Sequence, residues 1–239
     1  MRNLLDSYLN AYNGDITFDF DNNILLNWYP KRIVELNPNR GLSLLELGLG
    51  HGYSTNIFSD FYKNHTVLDG SPAVIELFKS KYPNSPVKII ETFFEEFEIN
   101  QKYDMIVMGF ILEHVKNPVE ILRHFKQFLK PNGVIYAAVP NAAVMNRRLG
   151  IIAGYLNSIN DLSENDHLLG HLRYYTLKSF REDIDEAGYE LHEMEGIYLK
   201  PLASFQMQSL ELSDEMIRAL CVLGIEYPEL SCGLMAKFS

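Results

Sequence analysis

The 239-residue sequence has only two cysteines, one tryptophan and no long apolar run. Cys221 and Cys232 are too few for the disulfide framework of a small secreted domain, have no CxxC spacing and fit a reducing compartment. No segment approaches the roughly 18 consecutive apolar residues of a transmembrane helix, and residues 1–6 include no apolar signal region. We therefore expect a cytoplasmic protein that does not enter a membrane.

Positive charge is also scarce. The chain has 21 Lys and Arg against 31 Asp and Glu, a formal net charge of -10. A nucleic-acid backbone or an anionic membrane is held by clustered basic residues, so neither is expected as a partner. Apolar residues make up 47% of the chain, which is ample for a sizeable core. The composition suits a single α/β domain that binds a small molecule, as a monomer or a homodimer.

One stretch, from Leu42 to Tyr53, organises the rest of the sequence. It is an apolar strand that ends in Glu46 and Leu47 and continues into glycines at every second position, namely Gly48, Gly50 and Gly52. Glycine lets a strand-to-helix turn expose its backbone N–H groups to a ligand. The dinucleotide fingerprint G-x-G-x-x-G would need its third glycine where Tyr53 stands, which disfavours a nicotinamide cofactor. No Lys-Ser/Thr pair follows the glycines, so a P-loop is excluded.

Strand and helix signals alternate along the chain after this turn. Ser71-Pro72, Asn117-Pro118 and Thr176 predict helix starts, because Ser, Asn and Thr cap helices and Pro suits the first turn. The helix after Asn117 is predicted to extend through Phe128 and Leu129 and to stop at Pro131-Asn132-Gly133. The further strands are predicted at His65 to Asp69, Val87 to Glu91, Tyr103 to Gly109, Val134 to Val139, Tyr189 to Tyr198 and Ser231 to Phe238.

This alternation predicts a doubly wound, mostly parallel sheet with right-handed crossovers. Ligands of such sheets bind outside the carboxyl ends of the strands. Polar or glycine residues stand at five of those ends, and this convergence predicts a common site. They are Glu46, Asp69, Thr92, Gly109 and Asn141.

At this point the chain resembles the class I S-adenosylmethionine-dependent methyltransferases, over roughly residues 42 to 198 and the last strand. The matching runs are Glu46 to Gly52, Val67 to Pro72, Tyr103 to Val107, Leu112 to Val115, Leu129 to Gly133 and Tyr174 to Thr176. The resemblance implies a Rossmann-like seven-stranded sheet with an antiparallel last strand, plus N-terminal and late helical cap segments.

The resemblance also implies S-adenosylmethionine as the cofactor and assigns its contacts. Glu46 and the three glycines would border the methionine part, Asp69 would bind the ribose hydroxyls, and Thr92 and Phe93 would meet adenine, although the family more often has an acid near Thr92. The full set of implied cofactor-binding residues is Glu46, Gly48, Gly50, Gly52, Asp69, Gly70, Ser71, Thr92, Phe93, Gly109, Phe110 and Leu112.

A sulfonium methyl group is already activated, so a base is needed only when the acceptor must lose a proton. The candidate catalytic residues are His167, His114 and Glu113; His114 and Glu113 could instead bond at a helix start. His171, Arg173 and Tyr175 are expected to fix their segment on the domain, and the polar residues around Gly170 argue against a firm helix there. No metal is expected, because Phe110 stands where some quinone-pathway relatives have an added acid.

The predicted organisation is one domain over residues 1–239, with an N-terminal cap at 1–40 and a cofactor-binding core at 41–140. Residues 141–175 and 201–226 are predicted to cover the substrate. They contain aromatic, Met, Asn and His residues, which favours O- or N-methylation of a sugar, an amino-acid derivative or a secondary metabolite. The alternatives are a catalytically silent cofactor-binding subunit and, less favoured, an NAD-dependent oxidoreductase.

Overall fold

The computed structural model of the protein describes residues 19–239, over which seven strands form one sheet. Residues 1–18 of the predicted N-terminal cap lie outside the described residues. The strands are β1 (Ser43–Leu47), β2 (Asn64–Asp69), β3 (Lys88–Glu91), β4 (Tyr103–Gly109), β5 (Leu129–Pro140), β6 (Leu191–Leu199) and β7 (Ser231–Phe238).

The strand order is β3-β2-β1-β4-β5-β7-β6. The first five strands pair in parallel, whereas β7 is antiparallel to both of its neighbours, β5 and β6. The order reverses between β1 and β4, which is the switch point where such sheets bind ligands. The predicted seven-stranded, mostly parallel sheet with an antiparallel last strand is confirmed.

Helices cover both faces of the sheet, and the predicted caps are confirmed. Ser71, Asn117 and Thr176 each accept a hydrogen bond from the backbone three residues later. The α-helices are α1 (Asp19–Leu36), α2 (Tyr53–Phe61), α3 (Pro72–Lys81), α4 (Pro118–Lys126), α5 (Met145–Ile152), α6 (Glu164–Leu169), α7 (Leu177–Glu186), α8 (Ser204–Ser209) and α9 (Asp214–Glu226).

Helix α1 packs across one face of the sheet. Its buried residues Leu25, Tyr29 and Ile33 recur every four positions, so they share one face of the helix. They join a core cluster with Leu44 of β1 and Met105 of β4. Pro30 lies inside this helix without ending it. This packing fixes the position of α1 relative to β1 and β4.

The predicted boundary between α4 and β5 is wrong. The helix ends at Lys126, and Leu129 already pairs with Tyr103 of β4. The backbone N–H of Tyr103 donates to the carbonyl of Phe128. This pairing with β4 takes the place of a further helical turn. Phe128 is buried in the core. Because an apolar residue can be buried in a helix or in a strand, periodicity alone does not distinguish the two here.

The two segments predicted to cover the substrate contain helices of their own. Residues 141–175 include α5 and α6, and residues 201–226 include α8 and α9. Helix α6 forms where the sequence argued against a firm helix, because Ser163 and Asp166 make a capping box and Gly170 ends the helix at a φ of 76°. Within residues 19–239, no helix has both the length and the apolar character needed to cross a membrane.

Gly196→Ala tests how closely α9 packs on β6. A Cβ atom at Gly196 would lie 2.2 Å from the carbonyl oxygen of Gly224, a clash between two backbones that neither can relieve by a rotamer change. We expect the free energy of unfolding to fall by about 3 kcal/mol or more in chemical denaturation.

Gly154→Ala, where a Cβ would meet nothing within 4 Å, is the control. Its φ of 78° should cost only about 1 to 2 kcal/mol. Equal losses would contradict the packing.

Candidate active site

Three glycines follow β1 in a turn that other residue types would strain. Gly48, Gly50 and Gly52 have φ angles of 79°, 47° and 80°, all in the left-handed region. A Cβ atom on Gly48 would lie 2.7 Å from Cδ1 of Ile111, and one on Gly52 would lie 2.8 Å from Cδ2 of Phe78. The turn therefore requires glycine at these positions, which leaves the main chain without side chains at the carboxyl edge of the sheet.

Asp69 ends β2 and is held beside this turn by two backbone donors. Its Oδ2 accepts from the N–H of Leu49 at 2.9 Å, and its Oδ1 accepts from the N–H of Ser71 at 2.8 Å. Burial raises the pKa of this carboxyl, and the two hydrogen bonds oppose the shift. Each oxygen keeps a second lone pair, so together they can accept from two neighbouring hydroxyls, as ribose presents.

Glu46 lies buried beneath the turn and is fully partnered. Its Oε1 accepts from the hydroxyl of Ser54 at 2.6 Å, and its Oε2 lies 3.1 Å from Nε2 of His65. Nδ1 of His65 has no partner among the residues described. A proton on Nε2 of His65 can be donated to Glu46, and this hydrogen bond joins β2 to β1 beneath the turn.

Tyr29 of α1 covers the end of β4. A Cβ on Gly109 would lie 2.1 Å from the Tyr29 hydroxyl oxygen, so only glycine allows this approach. The Tyr29 ring also meets Phe110 edge-on, with centroids 5.8 Å apart. Burial raises the pKa of the Tyr29 hydroxyl far above its ordinary value, and the charges of Glu46 and Glu113 add to the shift. Tyr29 is thus a neutral hydroxyl at the end of β4.

The predicted adenine side of the site lies at the ends of β2 and β3. Thr92 donates its backbone N–H to the carbonyl of Asp69 at 3.0 Å, which places Thr92 and the half-buried Phe93 next to Asp69. The hydroxyl of Ser71 caps α3, and half-buried Gly70 separates Ser71 from Asp69. These four predicted residues are therefore brought together around Asp69.

The predicted residues that follow β4 differ in what they can contact. Phe110 is half-buried and has a φ of 57°, which turns the chain sharply at the strand end. Leu112 is fully buried in the core cluster that packs on the opposite face of the sheet from α1. The side chain of Leu112 therefore supports the site from below, whereas Gly109 and Phe110 border it.

A buried acid and two imidazoles lie together beyond the end of β4, where Glu113 and His114 follow the strand and His171 comes from the segment after α6. Glu113 has no exposed surface, and neither of its carboxylate oxygens has a partner in residues 19–239. Burial raises the pKa of Glu113 to about 7, although the charge of His171 opposes the shift. Burial and His171 lower the pKa of His114 to about 4, against a backbone hydrogen bond with Gly170. The rings of His114 and His171 are 4.8 Å apart.

His171 is joined to a second acid, Asp166. Nδ1 of His171 lies 3.0 Å from Oδ1 of Asp166. The other oxygen of Asp166 accepts from Tyr174 at 2.7 Å and from the backbone N–H of Ser163 at 2.7 Å. Burial alone would raise the pKa of Asp166, but the hydrogen bonds from His171, Ser163 and Tyr174 hold it well below its usual range. An ionised Asp166 orients His171 so that Nε2 is left for chemistry.

The predicted catalytic residues Glu113 and His114 are brought together, but the imidazole beside them belongs to His171. His167 is exposed on α6, one turn before the glycine that ends the helix. Its catalytic role stays a prediction. Arg173 fixes the segment as expected, because it donates to the carbonyls of Leu112, Val115 and Lys116.

The ligand atoms of Glu113, His114 and His171 lie within 4.8 Å of one another, so the group could also hold a metal ion. The expected absence of a metal stays a prediction.

Three residues of the site were missed in the sequence. Asp166 had a usable signal, since Ser163 and Asp166 have the spacing of a capping box. Tyr29 has the helical spacing of an apolar stripe with Leu25 and Ile33, which indicates only packing, and nothing in the sequence marks His65 as the partner of Glu46.

Comparison with known proteins gives a consistent result. Residues 26–194 match a family model described as a methyltransferase domain. A ubiquinone biosynthesis O-methyltransferase of Rickettsia canadensis is 26% identical over 159 residues, which is 65% of this chain and 66% of the relative. A putative methyltransferase of Invertebrate iridescent virus 6 is 25% identical over 198 residues, covering 79% of this chain and 70% of the relative.

Solved structures share the fold. The N-methyltransferase NodS from Bradyrhizobium japonicum, in complex with S-adenosyl-L-homocysteine, has a TM-score of 0.61 and 15% identity. The match covers 98% of this chain and 96% of that one. A 1,6-didemethyltoxoflavin-N1-methyltransferase from Burkholderia thailandensis has a TM-score of 0.61 and 14% identity, with 99% of this chain and 84% of that one covered.

Glu113→Gln tests the burial of the unpartnered carboxyl. Because the pKa of Glu113 is raised from 4.5 to about 7 in the folded protein, its stabilising contribution is complete below pH 4.5 and is lost as the pH rises through 7. We expect the variant to lack a loss of about 3 kcal/mol that the parent shows between pH 5 and pH 9 in urea unfolding. The exposed Glu98→Gln serves as control. Parallel stability profiles for the parent and Glu113→Gln would refute the assignment.

Proposed function

The chain belongs to the methyltransferase domain family, and we propose that it moves a methyl group from S-adenosylmethionine to an oxygen or nitrogen atom of a small-molecule acceptor. The observation that carries the proposal is the strand order, which places β1, with the glycine turn at its end, directly beside β4, after which Glu113 and His114 of the acid–imidazole group follow. A cofactor cradle and a proton-accepting group thus stand side by side. Similarity to an O-methyltransferase and to an N-methyltransferase supports both acceptor atoms.

The residues at the carboxyl edge fit this cofactor. Asp69 offers two lone pairs to the ribose hydroxyls, and the turn at Gly48, Gly50 and Gly52 lets the methionine part approach bare backbone. Thr92 and Phe93 would border the adenine. S-adenosylmethionine, when bound, supplies a methyl group that is activated by its sulfonium sulfur. The protein must then orient the acceptor and accept its proton.

His171 is the base that the geometry supports best. Its Nδ1 is engaged by ionised Asp166, which orients the ring and stabilises the imidazolium that forms when Nε2 takes the acceptor's proton. Glu113 and His114 lie beside it, and with a pKa of about 4 His114 stays neutral near pH 7. A neutral His114 can accept a hydrogen bond from the acceptor, and a protonated Glu113 can donate one.

Charge in the segments that border the acceptor supports a small molecule. Residues 141–175 contain three Asp or Glu and three Arg, and residues 201–226 contain four Asp or Glu and one Arg. A polyanion such as DNA or tRNA requires a clear excess of basic residues along its path. The acceptor is therefore a compact molecule, and a labelled-methyl screen over hydroxylated and amine-bearing metabolites is the direct test. Binding of S-adenosylmethionine without transfer to any acceptor would instead support a silent cofactor-binding subunit.

Asp69→Asn should weaken S-adenosylmethionine binding by about 30-fold or more in calorimetry. The reason is that a neutral amide replaces the charged carboxylate that would accept from the pair of ribose hydroxyls. Asp60→Asn, at an exposed position on α2, should leave the affinity unchanged. Thermal melts of both variants measure folding separately. A purely structural Asp69 would show a loss of stability as large as its loss of cofactor affinity.

His171→Gln and His167→Gln separate the two candidate bases. We expect the His171 variant to lower kcat by about 100-fold or more at unchanged cofactor affinity, because general base catalysis is removed. The His167 variant should keep kcat within about twofold, because its side chain is exposed on α6. Single-turnover transfer of labelled methyl measures both. The reverse ranking would assign the base to His167.

A further inference from the structure

The acid–imidazole group, which consists of Glu113, His114 and His171, has the geometry to bind a metal ion. One carboxylate oxygen and two ring nitrogens, one atom from each residue, all lie within 4.8 Å of one another. Ligand atoms that surround an ion tetrahedrally at about 2.0–2.2 Å are roughly 3.3–3.6 Å apart. A movement of about 1 Å therefore brings the three atoms onto one ion.

Glu113 is an independent sign that something binds here. The residue is fully buried, and neither of its carboxylate oxygens has a partner within residues 19–239. A buried carboxylate is costly unless it is hydrogen-bonded, paired with a charge or bound to a metal ion. The backbone around it is held firmly, because the carbonyl of Glu113 accepts from the N–H of Leu172 at 2.8 Å. That hydrogen bond keeps Glu113 next to His171.

The surroundings of His171 are those of a metal-binding imidazole. Its Nδ1 lies 3.0 Å from Oδ1 of Asp166, and the other oxygen of Asp166 accepts from the hydroxyl of Tyr174 at 2.7 Å. Histidines that bind metals usually donate their second ring N–H to a carboxylate or a carbonyl, which orients the ring and makes it a stronger ligand. Because Nδ1 of His171 is used in this way, Nε2 is left to bind the ion.

The two imidazoles leave the group open to solvent. His114 and His171 are half-buried, in contrast to Glu113, and 13% of the His171 side chain is exposed. Their rings meet edge-on with centroids 4.8 Å apart, so both rings belong to one side of the group. An ion can therefore enter past the imidazoles and reach the buried carboxylate behind them.

The ligand atoms select the kind of ion. Two imidazole nitrogens and one carboxylate oxygen are a set that Zn²⁺ binds in proteins, and other late transition-metal ions accept the same atoms. Mg²⁺ and Ca²⁺ instead prefer sets made of oxygen atoms, so they are poor matches for a group with two ring nitrogens. Three protein ligands also leave a fourth tetrahedral position for water.

We propose that Glu113, His114 and His171 form a Zn²⁺ site, and that the bound ion inhibits methyl transfer by occupying Nε2 of His171. The lone pair on that nitrogen can take the acceptor's proton or bind the ion, but it cannot do both. The ion is thus an inhibitor and not a cofactor. Zinc binding depends only on the geometry of the three side chains, whereas the inhibition rests on the proposed methyltransferase function.

Co²⁺ binding gives a first test that needs no acceptor. The full-length protein is treated with a chelator, desalted and titrated with Co²⁺, which absorbs strongly in the visible range when it is tetrahedral. We expect such a spectrum at one equivalent of Co²⁺, loss of the spectrum on addition of Zn²⁺ and no loss with Mg²⁺. A thiolate-to-cobalt band in the near ultraviolet would instead place the ion on Cys221 or Cys232 and overturn the site.

Two variants separate the site from other histidines. His114→Gln should weaken Zn²⁺ binding in calorimetry by about 100-fold or more, because one of three protein ligands is lost. His192→Gln is the matched control, since His192 is exposed on β6 and its Nε2 lies 2.7 Å from Oγ of Ser239, outside the group. Its Zn²⁺ affinity should stay within about twofold of the parent. Equal affinities for all three proteins, or no tetrahedral Co²⁺ spectrum, would refute the site.

Asp166→Asn keeps the three ligands and removes only the charge that orients His171. We expect it to weaken Zn²⁺ binding by about 10-fold, because partners of metal-binding imidazoles typically contribute this much. Thermal melts of all the variants show whether each is folded. A folded Asp166→Asn with parental Zn²⁺ affinity would show that Asp166 does not support a metal-binding ring, which contradicts the proposed arrangement.

The inhibition is tested with an acceptor from the labelled-methyl screen. Zn²⁺ should inhibit transfer competitively with the acceptor, leave the Kd of S-adenosylmethionine within about twofold, and be reversed by a chelator, whereas Mg²⁺ should have no effect. Activation by Zn²⁺, or inhibition that does not depend on acceptor concentration, would overturn the inhibitory role. Failure of the proposed function differs, because no acceptor would be methylated while the Co²⁺ spectrum still decided whether the metal site exists.

Discussion

Tyr29 packs its hydroxyl against the bare backbone of Gly109, and the arrangement of the whole site depends on this contact. It is possible only because residue 109 has no Cβ, which would lie 2.1 Å from the hydroxyl oxygen. The same helix is tied to β6 by a two-point hydrogen bond between Arg32 and Glu195, at 2.8 and 3.0 Å. Held at both places, α1 keeps Tyr29 at the carboxyl end of β4.

Three buried carboxyls show how the number of donors decides the charge of a group. Asp166 accepts from several donors, and its pKa is held well below the usual range. Asp69 accepts two backbone hydrogen bonds, which oppose but do not cancel the effect of burial. Glu113 has no partner for either oxygen in residues 19–239, and burial raises its pKa to about 7. The number of hydrogen-bond donors around a buried carboxyl thus decides whether its pKa is raised by burial or held low.

These contacts place different chemical groups at different strand ends of the sheet. The glycine turn and Asp69 lie at the ends of β1 and β2 and fit a nucleoside with an attached amino acid. The acid–imidazole group lies beyond the end of β4, the strand next to β1. Family membership accounts for the first of these places. The second is formed by side chains of Glu113 and His114 after β4 and of His171 in a connecting segment.

The sequence by itself determined the strands, the helix caps and the glycine turn, because these depend on local spacing and on the conformational limits of single residues. It also marked Asp69, Glu113 and His114, which stand at strand ends within recognisable motifs. It misplaced the start of β5, because Phe128 is buried whether the stretch is helical or extended.

Only the tertiary structure decided which imidazole joins Glu113, and it placed His171 there because α6 ends at Gly170 and turns the chain back. The pairing of Asp21 with Lys200 joins residues 179 positions apart, and it depends on β6 running in the same direction as β5. No local pattern encodes a contact of that kind, since it depends on how separate elements pack together.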